Sequence, residues 1–263
     1  MNSYFLYRGY SVMSAISESA AKLLIDGVLD NKARNRKIFR DNRRTFIARA
    51  DVGDFHDVVL KVPRARNKRL WERFLTLFRS SEAFRHHRSI CLFSSLGFQG
   101  PRPLLAVEKR SMGVVTHSFF LYGFVRGRVP GASDGGKVGR ELHRLHRLGY
   151  MRRDPQAANF LIAGERVYFI DFKLTRPLLF NSVRTTMEFA QFLHSMPTGA
   201  SGLKRSERKH WRLRVAWHLH FALSRIRKIR RATKKWFSAF VALFSRTPLA
   251  TLADDIPSLI CLL

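Results

Sequence analysis

MRRDPQAANFLIAGERVYFIDFKLT, residues 151–175, is the stretch from which the rest of the chain is read. Asp154 is followed five positions later by Asn159, then by the apolar run FLI, a turn carrying Gly164, a second apolar run VYFI, and Asp171. Two short apolar runs around a glycine-containing turn predict a hairpin. Asp154 and Asn159 share a tight loop ahead of it, and the hairpin returns Asp171 to the same edge. Three oxygen-bearing side chains are therefore expected to converge on one cleft. Phosphoryl transfer needs such a set: a carboxylate beside the attacking hydroxyl, and a carboxamide oxygen with a second carboxylate to hold magnesium against nucleotide phosphates.

An Asp with an Asn five residues on is a weak signal by itself; the upstream half of the chain gives it weight. Short strands are expected over residues 36–39, 45–50 and 57–62, with a turn over 51–55. The third, VVLKV, sets Lys61 among apolar neighbours. A lysine there is either a solvated edge residue or a buried ammonium for the α and β phosphates, and the second role needs a carboxylate from the next helix. Glu82 and Glu72 are the candidates. Glu82 is preferred because Ser80 or Ser81 can cap the helix it opens, which runs towards Gly97, whereas Glu72 reads as a surface residue of a preceding helix.

Pro101 and Pro103 end that helix, and strands are expected over 104–109 and 113–124. The break in FFLYGFVRGRVPG makes a connector that either presents backbone groups to an adenine ring through Gly123 and Val125 or simply joins two lobes. Over 137–148, Val138, Leu142, Leu145 and Leu148 share one helical face, and this helix would deliver the chain into the Asp154 loop. His143 and His146 lie three apart but have no local carboxylate or third ligand to make a zinc site.

With 263 residues and 46% hydrophobic content the chain can bury a core, as one two-lobed domain or two small ones. Lys and Arg total 48 against 19 Asp and Glu, a formal charge of +29, so a polyanionic partner is expected: nucleic acid, or an anionic membrane or glycolipid. Two cysteines, Cys91 and Cys261, support neither a disulfide framework nor a cysteine-rich zinc site and fit a reducing compartment. The first residues lack the apolar run of a secretory signal, and no stretch reaches 18 uninterrupted apolar residues. Ile16, Ala20, Leu23, Leu24 and Val28 predict a leading helix over about 12–29, and residues 184–194 also read as a helix. Beyond them, 206–231 and 234–244 are basic amphipathic segments with tryptophans, suited to an anionic membrane surface or to closing a lobe.

With Lys61, Glu82, Asp154, Asn159 and Asp171 in this order, the chain resembles the eukaryotic-like protein kinase superfamily, and most closely the bacterial lipopolysaccharide core heptose kinases. VVLKV, LHRLHRLGYMRRDPQAANFLI and VYFIDFK are similar to that family's strand lysine, catalytic loop and metal loop, and the resemblance covers roughly residues 45–192. It implies an α+β, protein-kinase-like two-lobed fold, with a small antiparallel-sheet N-lobe and a mainly helical C-lobe. It also implies transfer of the ATP γ-phosphate to a sugar hydroxyl of the inner core at the cytoplasmic face of the inner membrane. Lys61 would bind phosphate and pair with Glu82, Asp154 would take the acceptor proton, and Asn159 and Asp171 would hold Mg2+.

The departures from that pattern are specific. Arg152 and Arg153 stand where protein kinases have His and Arg, so the histidine that braces the loop is missing; Lys173 replaces the glycine after the Asp-Phe pair; no Ala-Pro-Glu follows. KIFRDNRRTFIARAD contains no glycine, so there is no Gly-rich phosphate loop, and arginines are the residues left to contact phosphate there. The short, apolar segment after Asp171 favours a small or glycolipid acceptor over a protein. The expected division is 1–33 as an N-terminal helical extension, 34–125 as N-lobe and 126–263 as C-lobe with basic amphipathic helices. The expected partners are a lipopolysaccharide core acceptor and an anionic inner-membrane surface, with no specific nucleic acid. Two other readings stay open: a kinase of another sugar, such as a Kdo residue, or of a small-molecule acceptor, and an inactive basic protein that binds membrane or polyanion.

Overall fold

The computed structural model describes residues 2–64, 75–170 and 174–204, with Val215, Ala216, His218 and Thr233 beyond them. Glu72, Asp171, Lys173 and nearly all of the two basic C-terminal segments lie outside the described residues. Seven strands form one antiparallel sheet in the order β1-β2-β6-β7-β5-β4-β3: β1 (Ser3–Tyr7), β2 (Tyr10–Ser14), β3 (Arg34–Asp41), β4 (Thr45–Val52), β5 (Phe55–Pro63), β6 (Pro103–Ser111) and β7 (Val114–Gly123).

Residues 3–14 correct the expectation of a purely helical extension. SYFLYRGYSVMS alternates large side chains about Arg8-Gly9, and both turn residues have positive φ (49° and 75°), the two-residue hairpin turn that matches strand twist. Val12 and Met13 therefore lie in β2 opposite Val107 and Ala106, and helix α1 (Glu18–Leu29) begins later, capped by the Ser17 hydroxyl.

Because successive strand residues face opposite sides, the sheet carries two layers. On one side Ala21, Leu24 and Ile25 of α1 pack with Leu60, Leu105, Val107, Phe119 and Leu121. On the other lies α2 (Glu82–Ser95), whose His86 ring is 5.2 Å from that of Phe120. Lys61 is paired with Phe120 across β5 and β7, so it points to the α2 side.

The rest is mainly helical: α3 (Gly135–Arg147), the short hairpin β8 (Phe160–Ala163) and β9 (Arg166–Phe169), and α4 (Asn181–Ser195). A run of aromatic contacts joins the two parts, from Phe93 of α2 to Phe169 (4.7 Å), Phe160 (5.0 Å) and Phe192 of α4 (5.8 Å between centroids). The Phe169 N–H also donates to the Gln99 carbonyl at 3.0 Å. Helix α3 comes unusually close to the turn Pro197–Gly202: a Cβ on Gly139 would lie 2.2 Å from the Gly199 carbonyl oxygen.

Candidate active site

The loop between α3 and β8 is fastened at every backbone group that gives it shape. Glu188, 3% exposed on α4, accepts the Arg152 N–H at 2.9 Å and the Arg153 N–H at 3.4 Å. His146 of α3 stands 3.6 Å from the same carboxylate, so the histidine serves this junction; no group of three metal-ligating side chains occurs among the described residues. The Arg152 side chain is 1% exposed and lies over the Phe160 and Phe169 rings. Its guanidinium donates to the carbonyls of Asn159 (3.3 Å) and Ile170 (2.9 Å). The loop thus has a brace where the sequence reading found one missing, and a guanidinium provides it.

This framework leaves Asp154 exposed at the loop surface. The Asn159 Nδ2 donates to the Asp154 carbonyl at 3.1 Å. That bond turns the donor half of the carboxamide inward and leaves Oδ1, the half that suits a hard cation. The Ile170 N–H donates to the Asn159 carbonyl at 3.0 Å, so the residue ahead of Asp171 is tied directly to Asn159.

In the sheet, Lys61 is 7% exposed with its ammonium 5.6 Å from the centre of the Phe120 ring. Glu82 opens α2, which packs on β5, and its carboxylate is 3.4 Å from His86 Nε2. Sequence reasoning missed Glu108, a buried carboxylate that accepts the Ser81 N–H at 2.9 Å and Arg110 Nε at 2.8 Å and so fixes where α2 begins. Burial raises the Glu108 pKa, and the Arg110 and Ser81 bonds more than offset that, leaving it below the ordinary range. An acid in the middle of a strand was the available signal.

The β3–β4 turn occupies the position of the absent glycine loop, and Asn42 organises it. The Asn42 Oδ1 accepts the N–H groups of Arg44 (2.9 Å) and Thr45 (3.0 Å), so those amides are spent inside the turn while the Arg43 and Arg44 side chains stay exposed. At the connector, the Gly123 N–H donates to the Arg102 carbonyl at 2.8 Å, which leaves its carbonyl as the group that could face a base. The Phe124 N–H is likewise taken by the Asp57 carbonyl, whereas the Val125 backbone has no backbone partner among the described residues. Asp57 ties this corner together: hydrogen bonds from Arg126 and Arg49 hold its carboxyl down at about 2.

No protein-family model matches the sequence, and no curated protein matches it either. Among solved structures the chain is similar to WaaP, solved in complex with acyl carrier protein, with a TM-score of 0.50 and 15% identity over 84% of this chain and 98% of that one. It is also similar to the Rio2 kinase of Chaetomium thermophilum, solved with ADP, magnesium and phosphoaspartate, with a TM-score of 0.46 and 14% identity over 85% of this chain and 81% of that one. At 15% identity the likeness to WaaP is one of fold. The fold is α+β and protein-kinase-like, an antiparallel-sheet lobe followed by a mainly helical one.

Proposed function

We propose that the chain is an ATP- and magnesium-dependent kinase that phosphorylates a sugar hydroxyl, a heptose of the lipopolysaccharide inner core. The observation that carries this reading is the Asn159–Asp154 bond inside a loop braced by Arg152 and Glu188. It ties the carboxamide nitrogen to the Asp154 main chain and leaves Oδ1 as an acceptor in the loop that carries an exposed carboxylate, the two residue types that phosphoryl transfer uses. Asp154 takes the proton of the attacking hydroxyl. Asn159 Oδ1 and Asp171, one residue beyond Ile170, are the proposed magnesium ligands; bound magnesium would neutralise charge on the phosphates. Lys61, with Glu82 as its proposed partner, contacts the α and β phosphates, and Val125 meets the base.

A glycolipid acceptor is supported by the +29 charge and by the resemblance of three motifs to the core heptose kinases. On this reading the chain works at the cytoplasmic membrane face. The likeness to WaaP makes acyl carrier protein a partner to test by co-purification. The spent amides of the β3–β4 turn favour a second reading, an inactive polyanion-binding protein.

Transfer of label from ATP to dephosphorylated core lipopolysaccharide, for the natural chain and for Asp154→Ala, separates the two. Label on the glycolipid with the natural chain alone is the expected result. Equal label with both proteins would refute the role of Asp154. A folded protein that binds lipopolysaccharide but labels no acceptor would favour the second reading.

A further inference from the structure

Residues 176–183, RPLLFNSV, follow β9 and residues 170–175 and enter α4 with their apolar side chains exposed. Leu178 is 97% exposed, Leu179 69%, Phe180 74% and Val183 57%. Soluble surfaces scatter single apolar residues, whereas a contiguous cluster of large ones marks an interaction site. The cluster is held in place. Its entry is fixed by paired hydrogen bonds between Met151 and Thr175, both 2.8 Å, and its exit by Asn181 Nδ2 donating to the Gly149 carbonyl at 3.2 Å. Phe180 has φ 55°, a left-handed conformation that a bulky residue adopts at a cost.

Two features identify what this surface meets. The side chains project from a turn, the shape of a probe rather than of a groove, and the guanidiniums beside them, Arg176 and Arg184, are exposed. From Leu174 to Lys204 the one acidic side chain is Glu188, which is buried. Outward apolar tips flanked by cations and free of exposed acids complement an anionic bilayer, in which apolar groups enter the acyl boundary and guanidiniums stay with lipid phosphates.

We propose that residues 176–183 are a membrane-docking turn that seats the rim of the catalytic loop on an anionic bilayer. The turn meets the loop through the Met151–Thr175 pair, three residues from Asp154, so docking would hold that carboxylate near acceptors anchored in the bilayer. The value of docking to catalysis rests on the kinase reading; docking itself does not.

Full-length protein should be sedimented with vesicles of phosphatidylethanolamine and phosphatidylglycerol, beside the triple variant Leu178→Ser, Leu179→Ser, Phe180→Ser. The expected result is vesicle affinity weakened about ten-fold or more, with an unchanged thermal melt because the replaced side chains are exposed. A Leu179→Trp variant should show, with these vesicles, a blue-shifted emission component absent from the natural chain, whose own four tryptophans set the baseline, and none with phosphatidylcholine alone. Equal sedimentation of the natural chain and the triple variant would assign binding to other residues and overturn the proposal, as would a Leu179→Trp emission change no larger than that of the natural chain. A self-associating natural chain made monomeric by the triple substitution, with vesicle binding unaltered, would make the patch a contact between copies and also overturn it. None of these readouts uses phosphate transfer, so they stand whether or not the kinase reading does.

Discussion

Arg152 braces its loop with a buried guanidinium. Two carbonyls and two aromatic rings receive its buried charge, and the Arg152→Met substitution, which keeps bulk and removes every donor, should lower stability by about 3 kcal/mol in denaturant melts. Label transfer by that variant should fall even where it stays folded, because Asn159 loses its anchor. At the β3–β4 turn, the Arg44 and Thr45 amides are engaged by Asn42, so on the kinase reading phosphate contact there would fall to side chains. The double variant Arg43→Gln, Arg44→Gln should therefore raise the KM for ATP about ten-fold with kcat little changed. His87 supplies a pH test. Both ring nitrogens are buried without a hydrogen-bond partner among the described residues, and burial holds its pKa down at about 4, against an ordinary 6.5. Between those values the unfolded chain binds a proton that the folded chain refuses, so this contribution to stability is whole above pH 6.5 and declines as pH falls towards 4. His87→Leu should flatten that part of the stability profile and raise stability at pH 7 by about 1 kcal/mol.

At the scale of elements, the close approach of α3 to the Pro197–Gly202 turn depends on Gly139. Gly139→Ala should cost about 1–3 kcal/mol in denaturant melts, since the obstructing atom is a backbone carbonyl. Strands β3 to β7 and helices α2 to α4 were legible from alternation, helical spacing and Ser81 as a cap, and the Asp154–Asn159 loop from its spacing. The β1–β2 hairpin was not: Val12 lies within helical reach of Ile16, which extended the leading helix back into the residues that form the end of β2. Arg152 and Glu188 were invisible for a different reason. Each earns its role through contacts across the fold, from residue 152 to residues 170 and 188, and sequence spacing carries no trace of them.

Over the whole molecule the charge of +29 is the dominant long-range property. Binding to heparin or to anionic vesicles should weaken steeply as salt rises past about 0.1 M, where screening sets in over about 10 Å, and Asp154→Ala should bind as the natural chain does. The seven-stranded sheet ends on β3, every residue of which is exposed, Arg34, Lys37 and Arg40 among them. A bare strand edge is a template for joining another chain, and cations along it oppose that, because two such edges meeting would set like charges face to face. The protection lasts only while the charges go unanswered. A soluble polyanion that neutralises β3 would remove the repulsion and bridge neighbouring copies, so turbidity should be greatest near charge equivalence and clear again in excess of either component.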